Sequence, residues 1–281
     1  MIPEYVKVRS LPELLDRLPE PGATVLCGGT DLLVKMRGGL VSPRLLLDVS
    51  DLPDLRGIRE TAGRVEIGAA TTEAEILESE VVRRRFPILI SVLSQLGSVQ
   101  IRSRGTLGGN LVNASPAADS AIPLLLLDAE VVALGKAGER RIPIESFFKG
   151  PGRTALALGE VVRAVTIPLG RADLLPSFHK IGRRKALIIA IASLGALAAA
   201  KGGILEEVRL AVGSVAPTPL RLRAVEAEVR GKRITPGLVA EARALTARLI
   251  SPIDDVRASA AYRRDVTADL VARHLEQAVC S

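Results

Sequence analysis

Two glycine pairs carry the residues best placed to do chemistry. Gly28-Gly29-Thr30-Asp31 follows Cys27 and the short strand-like run Ala23 to Leu26, and Thr106-Leu107-Gly108-Gly109-Asn110 lies further along the chain. Paired glycines let the backbone approach a ligand closely and adopt positive φ. Successive N–H groups then converge on one anion, as in a backbone nest or at a helix N-terminus. Thr30, Thr106, Asn110 and Ser115 add side-chain donors. Neither loop contains Lys or Arg, so backbone dipoles are expected to hold a phosphate. Read alone, each loop is equally an ordinary tight turn. Neither is a P-loop, and neither is a Rossmann fingerprint in a strand–turn–helix context. Asp31 also suits the cap of a following helix, and Asp119 suits a helix N-terminal acid or a turn.

Other reactive groups are few. The chain has two Cys, Cys27 and Cys280, and two His, His179 and His274. No C-x-x-C exists, which argues against a disulfide framework, a zinc site or an iron–sulfur cluster held by this chain alone. A helix N-terminus after Cys27 lowers a thiol pKa, yet a packing role is the preferred reading. His179, beside Lys180, reads as a surface or supporting residue. His274 lies on an amphipathic stretch and reads as solvated. No Ser/His/Asp or Cys/His constellation emerges, so no catalytic residue is assigned.

Composition narrows the classes. In 281 residues there are 38 Lys+Arg against 31 Asp+Glu, and 48% are apolar. Those fractions exclude disorder, collagen and coiled coil, and the length suits two or three packing units. With four Phe, two Tyr and no Trp, the core must be Leu, Val, Ile and Ala. The +7 balance invites a polyanion, but the charge is scattered Arg, as in Arg83-Arg84-Arg85 beside Glu78 and Glu80. Stacking on bases needs interleaved aromatics, so nucleic acid is a poor partner. The opening MIPEYVKVRSLPELL has no apolar h-region, so no signal peptide and a cytoplasmic home are expected. The longest apolar run, Ala186 to Ala200, is shorter than the ~20 residues of a membrane span and reads as a buried helix or a strand–helix mix.

The elements that must position the glycine loops follow from caps and periodicity. Tyr5 to Val8 is extended, and Ser10 caps a helix with Pro12 in its first turn. Ala23 to Leu26 is a buried strand, Leu32 to Arg37 a helix stopped by Gly38-Gly39, and Leu45 to Val49 a strand. Arg64 to Ile67 alternates as a strand, and Thr72 with Glu75 forms a capping box. Helices are expected over Pro87 to Leu96 and Ser120 to Leu127. Strands are expected over Val131 to Leu134, Val161 to Ile167, Pro176 to Ile181 and Val208 to Val212. Helices close the chain over Pro236 to Ile250 and Ala268 to Val279. The class is α+β or α/β.

Together these residues resemble a known family, the FAD-binding (medium) subunits of molybdenum hydroxylases of the carbon monoxide and xanthine dehydrogenase type. Cys27-Gly-Gly-Thr-Asp-Leu-Leu-Val-Lys-Met resembles that family's first flavin loop, and Gln100 to Asp119 resembles its second. Phe178-His-Lys-Ile-Gly-Arg-Arg and Val215-Ala-Pro-Thr-Pro-Leu-Arg match in order, so the likeness spans nearly the whole chain. Two departures stand out: Ile188 lies where many members have Asp, and Leu96 or Ile189 lies where some place an aromatic beside the flavin.

The resemblance implies an α+β architecture of the vanillyl-alcohol-oxidase type. Its parts are FAD subdomains at 1–52 and 53–170 and a C-terminal domain at 171–281. It implies FAD lying extended, with Cys27, Gly28, Gly29, Thr30, Asp31 and Leu32, and Thr106, Leu107, Gly108, Gly109 and Asn110, around the pyrophosphate. Ser115 adds a donor, Asp119 falls near the adenosine side, Val162 at an adenine contact and Lys180 toward the flavin end. Also implied are a large partner with the molybdenum cofactor and a small partner with [2Fe–2S] clusters, in a heterotrimer or its dimer. The chain is then an electron-transfer subunit, and the alternative is a stand-alone FAD oxidoreductase acting on a small molecule.

Overall fold

A computed structural model describes residues 2–184 and 189–278. The first stretch builds a parallel sheet from β1 (Glu4–Lys7), α1 (Leu11–Arg17), β2 (Ala23–Leu26), α2 (Leu32–Arg37) and β3 (Leu45–Asp48). The order is β1-β3-β2, so β3 is central and wholly buried, as an all-apolar Leu45-Leu46-Leu47 run requires. Ser10 accepts from the Glu13 amide and caps α1 as its type predicts. α2 ends at Gly38.

The second stretch holds β4 (Ile58–Thr61), β5 (Arg64–Gly68), α3 (Glu73–Glu78), α4 (Glu80–Arg85), α5 (Pro87–Leu93), α6 (Val99–Arg102), α7 (Leu107–Asn113) and α8 (Ala121–Leu126). It continues with β6 (Glu130–Gly135), β7 (Gly138–Pro143), α9 (Ile144–Phe147), β8 (Phe148–Gly150), β9 (Arg153–Thr154) and β10 (Val161–Pro168). An antiparallel sheet runs β4-β5-β10-β6-β7. Its core is aliphatic, with Phe86 and Phe147 the largest fully buried side chains. Thr72 and Glu75 make the expected capping box on α3. Arg84 and Arg85 pair with Glu60 across the fold, not with Glu78 or Glu80 beside them.

The third stretch is an antiparallel sheet of β11 (Leu175–Ile181), β12 (Ala192–Lys201), β13 (Ile204–Gly213) and β14 (Leu220–Arg221). It carries α10 (Arg223–Val229), α11 (Pro236–Leu249) and α12 (Ala260–Ala278). The apolar run read as a buried helix or a strand–helix mix is strand β12 from Ala192 onward, and the start of that run, like Ile188, lies outside the described residues. The reason is tertiary. β12 is sandwiched between α8 and α12, so both of its faces are apolar and alternation disappears. Gly195 shows the close approach, since a Cβ there would lie 2.5 Å from Ile122 Cγ2 of α8.

α12 starts eight residues earlier than its periodicity suggests (Ala260 against Ala268) and buries His274. That corrects the solvated reading: His274 is 6% exposed, and its Nδ1 lies 3.1 Å from Ser177 Oγ of β11. No helix among the described residues is long and apolar enough to cross a membrane.

Candidate functional site: two glycine loops and a buried ion pair

The two loops meet. A Cβ on Gly28 would fall 2.0 Å from the Arg104 carbonyl oxygen, so only glycine lets the first loop lie against the segment leading into the second. Gly29 adopts φ +72°, the left-handed turn that redirects the chain into α2. Lys35 then clasps the loops together. Its ammonium lies 2.6 Å from Asp31 and donates to Asn113 Oδ1 of α7 at 2.5 Å.

Their backbone donors differ. Among the described residues, the amides of Gly29, Thr30, Asp31 and Leu32 have no hydrogen-bond acceptor, whereas Leu33 already donates to Gly29 O. These are the orphan donors of a helix start. Asp31 does not cap them: its side chain makes no cap bond and pairs with Lys35. So the cation missing from the loop sequence arrives one helical turn later.

The second loop departs from the expectation of free amides. Leu107 N–H donates to Thr71 O at 3.2 Å and Gly108 N–H to Ala69 O at 2.9 Å. Gly109 N–H donates to Thr106 Oγ1 and Asn110 N–H to Thr106 O, because Thr106 caps helix α7. The segment is a helix start whose donors are spent within the protein. Gly108 is required by packing, since a Cβ would meet Ala69 Cβ at 2.6 Å. This loop therefore offers surface and side chains, while the first offers the amides.

Val162 sits beside this junction on β10. Its neighbour Arg163 accepts the Ala69 N–H at 2.9 Å through its carbonyl, and Ala69 in turn receives Gly108. Leu107 and Val162 are both buried. Ser115 is partly buried, and its hydroxyl accepts from Ala117 N–H in the turn after α7. Cys27 is partly buried, and burial pushes its thiol pKa up, which supports packing over reactivity.

Lys180 reaches from β11 to Asp119 Oδ2 at 2.5 Å, and both side chains are almost wholly inaccessible. The resemblance implied opposite ends of an extended cofactor for these two residues. The structure brings them to one place. Burial raises the Asp119 carboxyl pKa, against the pull of Lys180, and its Oδ1 has no partner among the described residues. Asn110 Oδ1 accepts from the Ser120 hydroxyl at 2.8 Å. Glu73, Lys35, Asn113 and Ser120 were not singled out from sequence, because each belongs to the site only through contacts across the fold. Only Glu73 carried a local signal, as an acid directly after the Thr72 cap.

A dinucleotide needs donors for its pyrophosphate and acceptors for its hydroxyls. The unpaired amides of 29–32 with Lys35 match the first need, and the unpartnered Asp119 oxygen matches the second. Comparison with known proteins identifies the group. Residues 2–170 match the family model "FAD binding domain in molybdopterin dehydrogenase". The chain belongs to this family of flavoproteins. Residues 177–278 match the CO dehydrogenase flavoprotein C-terminal domain.

Relatives align end to end. The glyceraldehyde dehydrogenase medium chain of Sulfolobus acidocaldarius is 32% identical, over 97% of each chain. The carbon monoxide dehydrogenase medium chain of Hydrogenophaga pseudoflava is 31% identical, over 99% of this chain and 98% of that one. A solved structure of reconstituted CO dehydrogenase from Oligotropha carboxidovorans superposes with a TM-score of 0.94 at 28% identity, covering 100% of this chain and 99% of that one.

Proposed function

We propose that this chain is the electron-transfer subunit of a molybdenum hydroxylase complex. It stands between a small partner with [2Fe–2S] clusters and an external acceptor, and a large partner holds the molybdenum cofactor. The observation that carries the reading is the row of unpaired amides at 29–32, closed by Lys35 and set against α7. The relatives' designation as medium chains supports a place between a larger and a smaller subunit, in a heterotrimer or its dimer.

Gly28 and Gly29 shape the anion cradle, and the amides through Leu32, with Thr30, hold the pyrophosphate. Thr106, Gly108, Gly109 and Asn110 form the opposing wall, and Leu107 anchors it in the core. Asp119 accepts from a cofactor hydroxyl and Lys180 holds that carboxylate in place. Ser115 adds a donor, and Val162 offers an apolar contact. FAD, when bound, supplies a carrier that takes electrons singly and passes them on in pairs. The chain itself binds, orients and excludes water, and needs no general base of its own. The division into 1–52, 53–170 and 171–281 belongs to the same reading, since each of the three larger sheets lies within one of these stretches.

The test is reconstitution and copurification. The flavin-free chain, mixed with FAD and dialysed, should retain flavin absorbance, and the chain should copurify with a molybdenum-containing and an iron–sulfur subunit. Loss of all flavin on dialysis sinks the reading. Sustained turnover of a small substrate by the isolated chain would replace it with a stand-alone FAD oxidoreductase.

A further inference from the structure

The two glycine motifs leave out the most buried acid beside them. Glu73 opens α3 and is 1% exposed. Its N–H donates to Gly105 O at 2.9 Å, and the adjoining Thr72–Thr106 bridge holds it against the second loop. Gly105 lies flush on the carboxyl, because a Cβ there would sit 3.1 Å from Glu73 Oε2. That oxygen has no hydrogen-bond partner among the described residues.

The polar and charged groups facing the carboxyl come from several neighbouring elements. They are the Arg102 guanidinium of α6, the Asn110 amide of α7 and the Asp119 carboxyl before α8, with Lys180 of β11 behind the last. Arg102 already donates to the Leu96 and Gly97 carbonyls, which blunts its help. Asn110 accepts from the Ser120 hydroxyl, and its pull on Glu73, like that of Arg102, favours the ionised carboxylate against the larger effect of burial.

We propose that Glu73 is a positioning residue for the flavin loop, acting through its packing on Gly105, and that it carries a proton whenever FAD is bound. This rests on the FAD reading above. An ionised Glu73 sets a second buried negative charge beside Asp119 and near the incoming pyrophosphate. The neutral acid removes that repulsion and keeps its packing on Gly105, the residue that leads into the Thr106 cap of α7. Burial independently holds this carboxyl at about 7. FAD binding therefore draws one proton from solvent onto the Glu73 carboxylate where that group is ionised beforehand, and affinity falls as pH rises through neutrality.

The experiment titrates the flavin-free full chain with FAD from about pH 6 to about pH 8. It follows flavin fluorescence, and calorimetry in two buffers of different ionisation enthalpy counts protons. The wild type should take up a fraction of a proton near neutrality and weaken about tenfold across the range, as expected when a carboxyl that titrates at about 7 in the free chain stays protonated in the complex throughout. Glu73→Gln should bind as tightly as the wild type at the acid end, with no pH slope. Glu73→Ala should bind weakly throughout. A Glu73→Gln variant with the wild-type slope, or as weak as Glu73→Ala, overturns the proposal, as does FAD binding by the wild type without proton uptake. If the wild type binds no FAD at any pH, the flavin reading falls, and this one with it.

Discussion

Lys180 and Asp119 form an ion pair of 2.5 Å that joins β11 to the segment just before α8. It ties the two stretches matched by separate family models, 2–170 and 177–278. Both groups are out of water, so each makes the other's charge tolerable. Breaking such a pair from one side costs about 3–5 kcal/mol, whereas replacing both partners with apolar groups costs much less. Lys180→Met should therefore lower unfolding stability by about 3 kcal/mol. The double variant Lys180→Met/Asp119→Leu should recover most of it. Urea unfolding of the four members of this cycle checks the coupling, and additive losses would rule it out.

Gly28 predicts a different kind of loss. Its added Cβ meets backbone at 2.0 Å, which no rotamer change relieves, whereas a Cβ on Gly170 meets nothing within 4 Å. Gly28→Ala should destabilise by about 1–3 kcal/mol, the cost of overpacking, and should lose FAD on dialysis. Gly170→Ala should do neither. Equal flavin retention by the two variants would show that the loop contact does not shape the site.

The buried histidine predicts an acid limit. Burial, with a lesser contribution from His179, pushes His274 down to about 4 from an ordinary 6.5. Below 6.5 the unfolded chain takes a proton that the folded chain refuses until about 4, so the unfolded state binds more protons in that window. Stability should therefore fall as pH drops through the window, by at most about 3 kcal/mol. His274→Asn can keep a partner for Ser177 and should flatten the slope. Chemical denaturation at stepped pH distinguishes this from a uniform loss.

The cap of α7 is a fourth lever. Thr106 Oγ1 accepts the Gly109 N–H, and Thr106 is 4% exposed. Thr106→Val should cost about 1 kcal/mol and Thr106→Ser little. Thermal melts of the flavin-free protein should show this order. A Val variant as stable as Ser would mean the cap is not holding the helix.

Much of the frame was legible because it is local. Ser10, the Thr72–Glu75 box, Gly38 after α2 and the Ala23–Leu26 strand are decided within a few residues, by capping and alternation. The glycine pairs were legible as places of close approach for the same reason. By itself, the sequence determined these caps, the aliphatic core forced by few aromatics, and the family through its ordered motifs.

Tertiary structure decided what each of those pieces does. Burial of β12 between α8 and α12 erased the alternation that marks a strand. The Ala69 and Thr71 carbonyls, distant in sequence, drew in the amides of the second loop and left only the first with free donors. Lys35, Asn113, Glu73 and Ser120 joined the site through contacts across the fold. The burial that reversed the reading of His274, and made one pair of Asp119 and Lys180, is likewise a property of packed neighbours. Desolvation and partner choice depend on which surfaces meet in space, and no spacing along the chain encodes that.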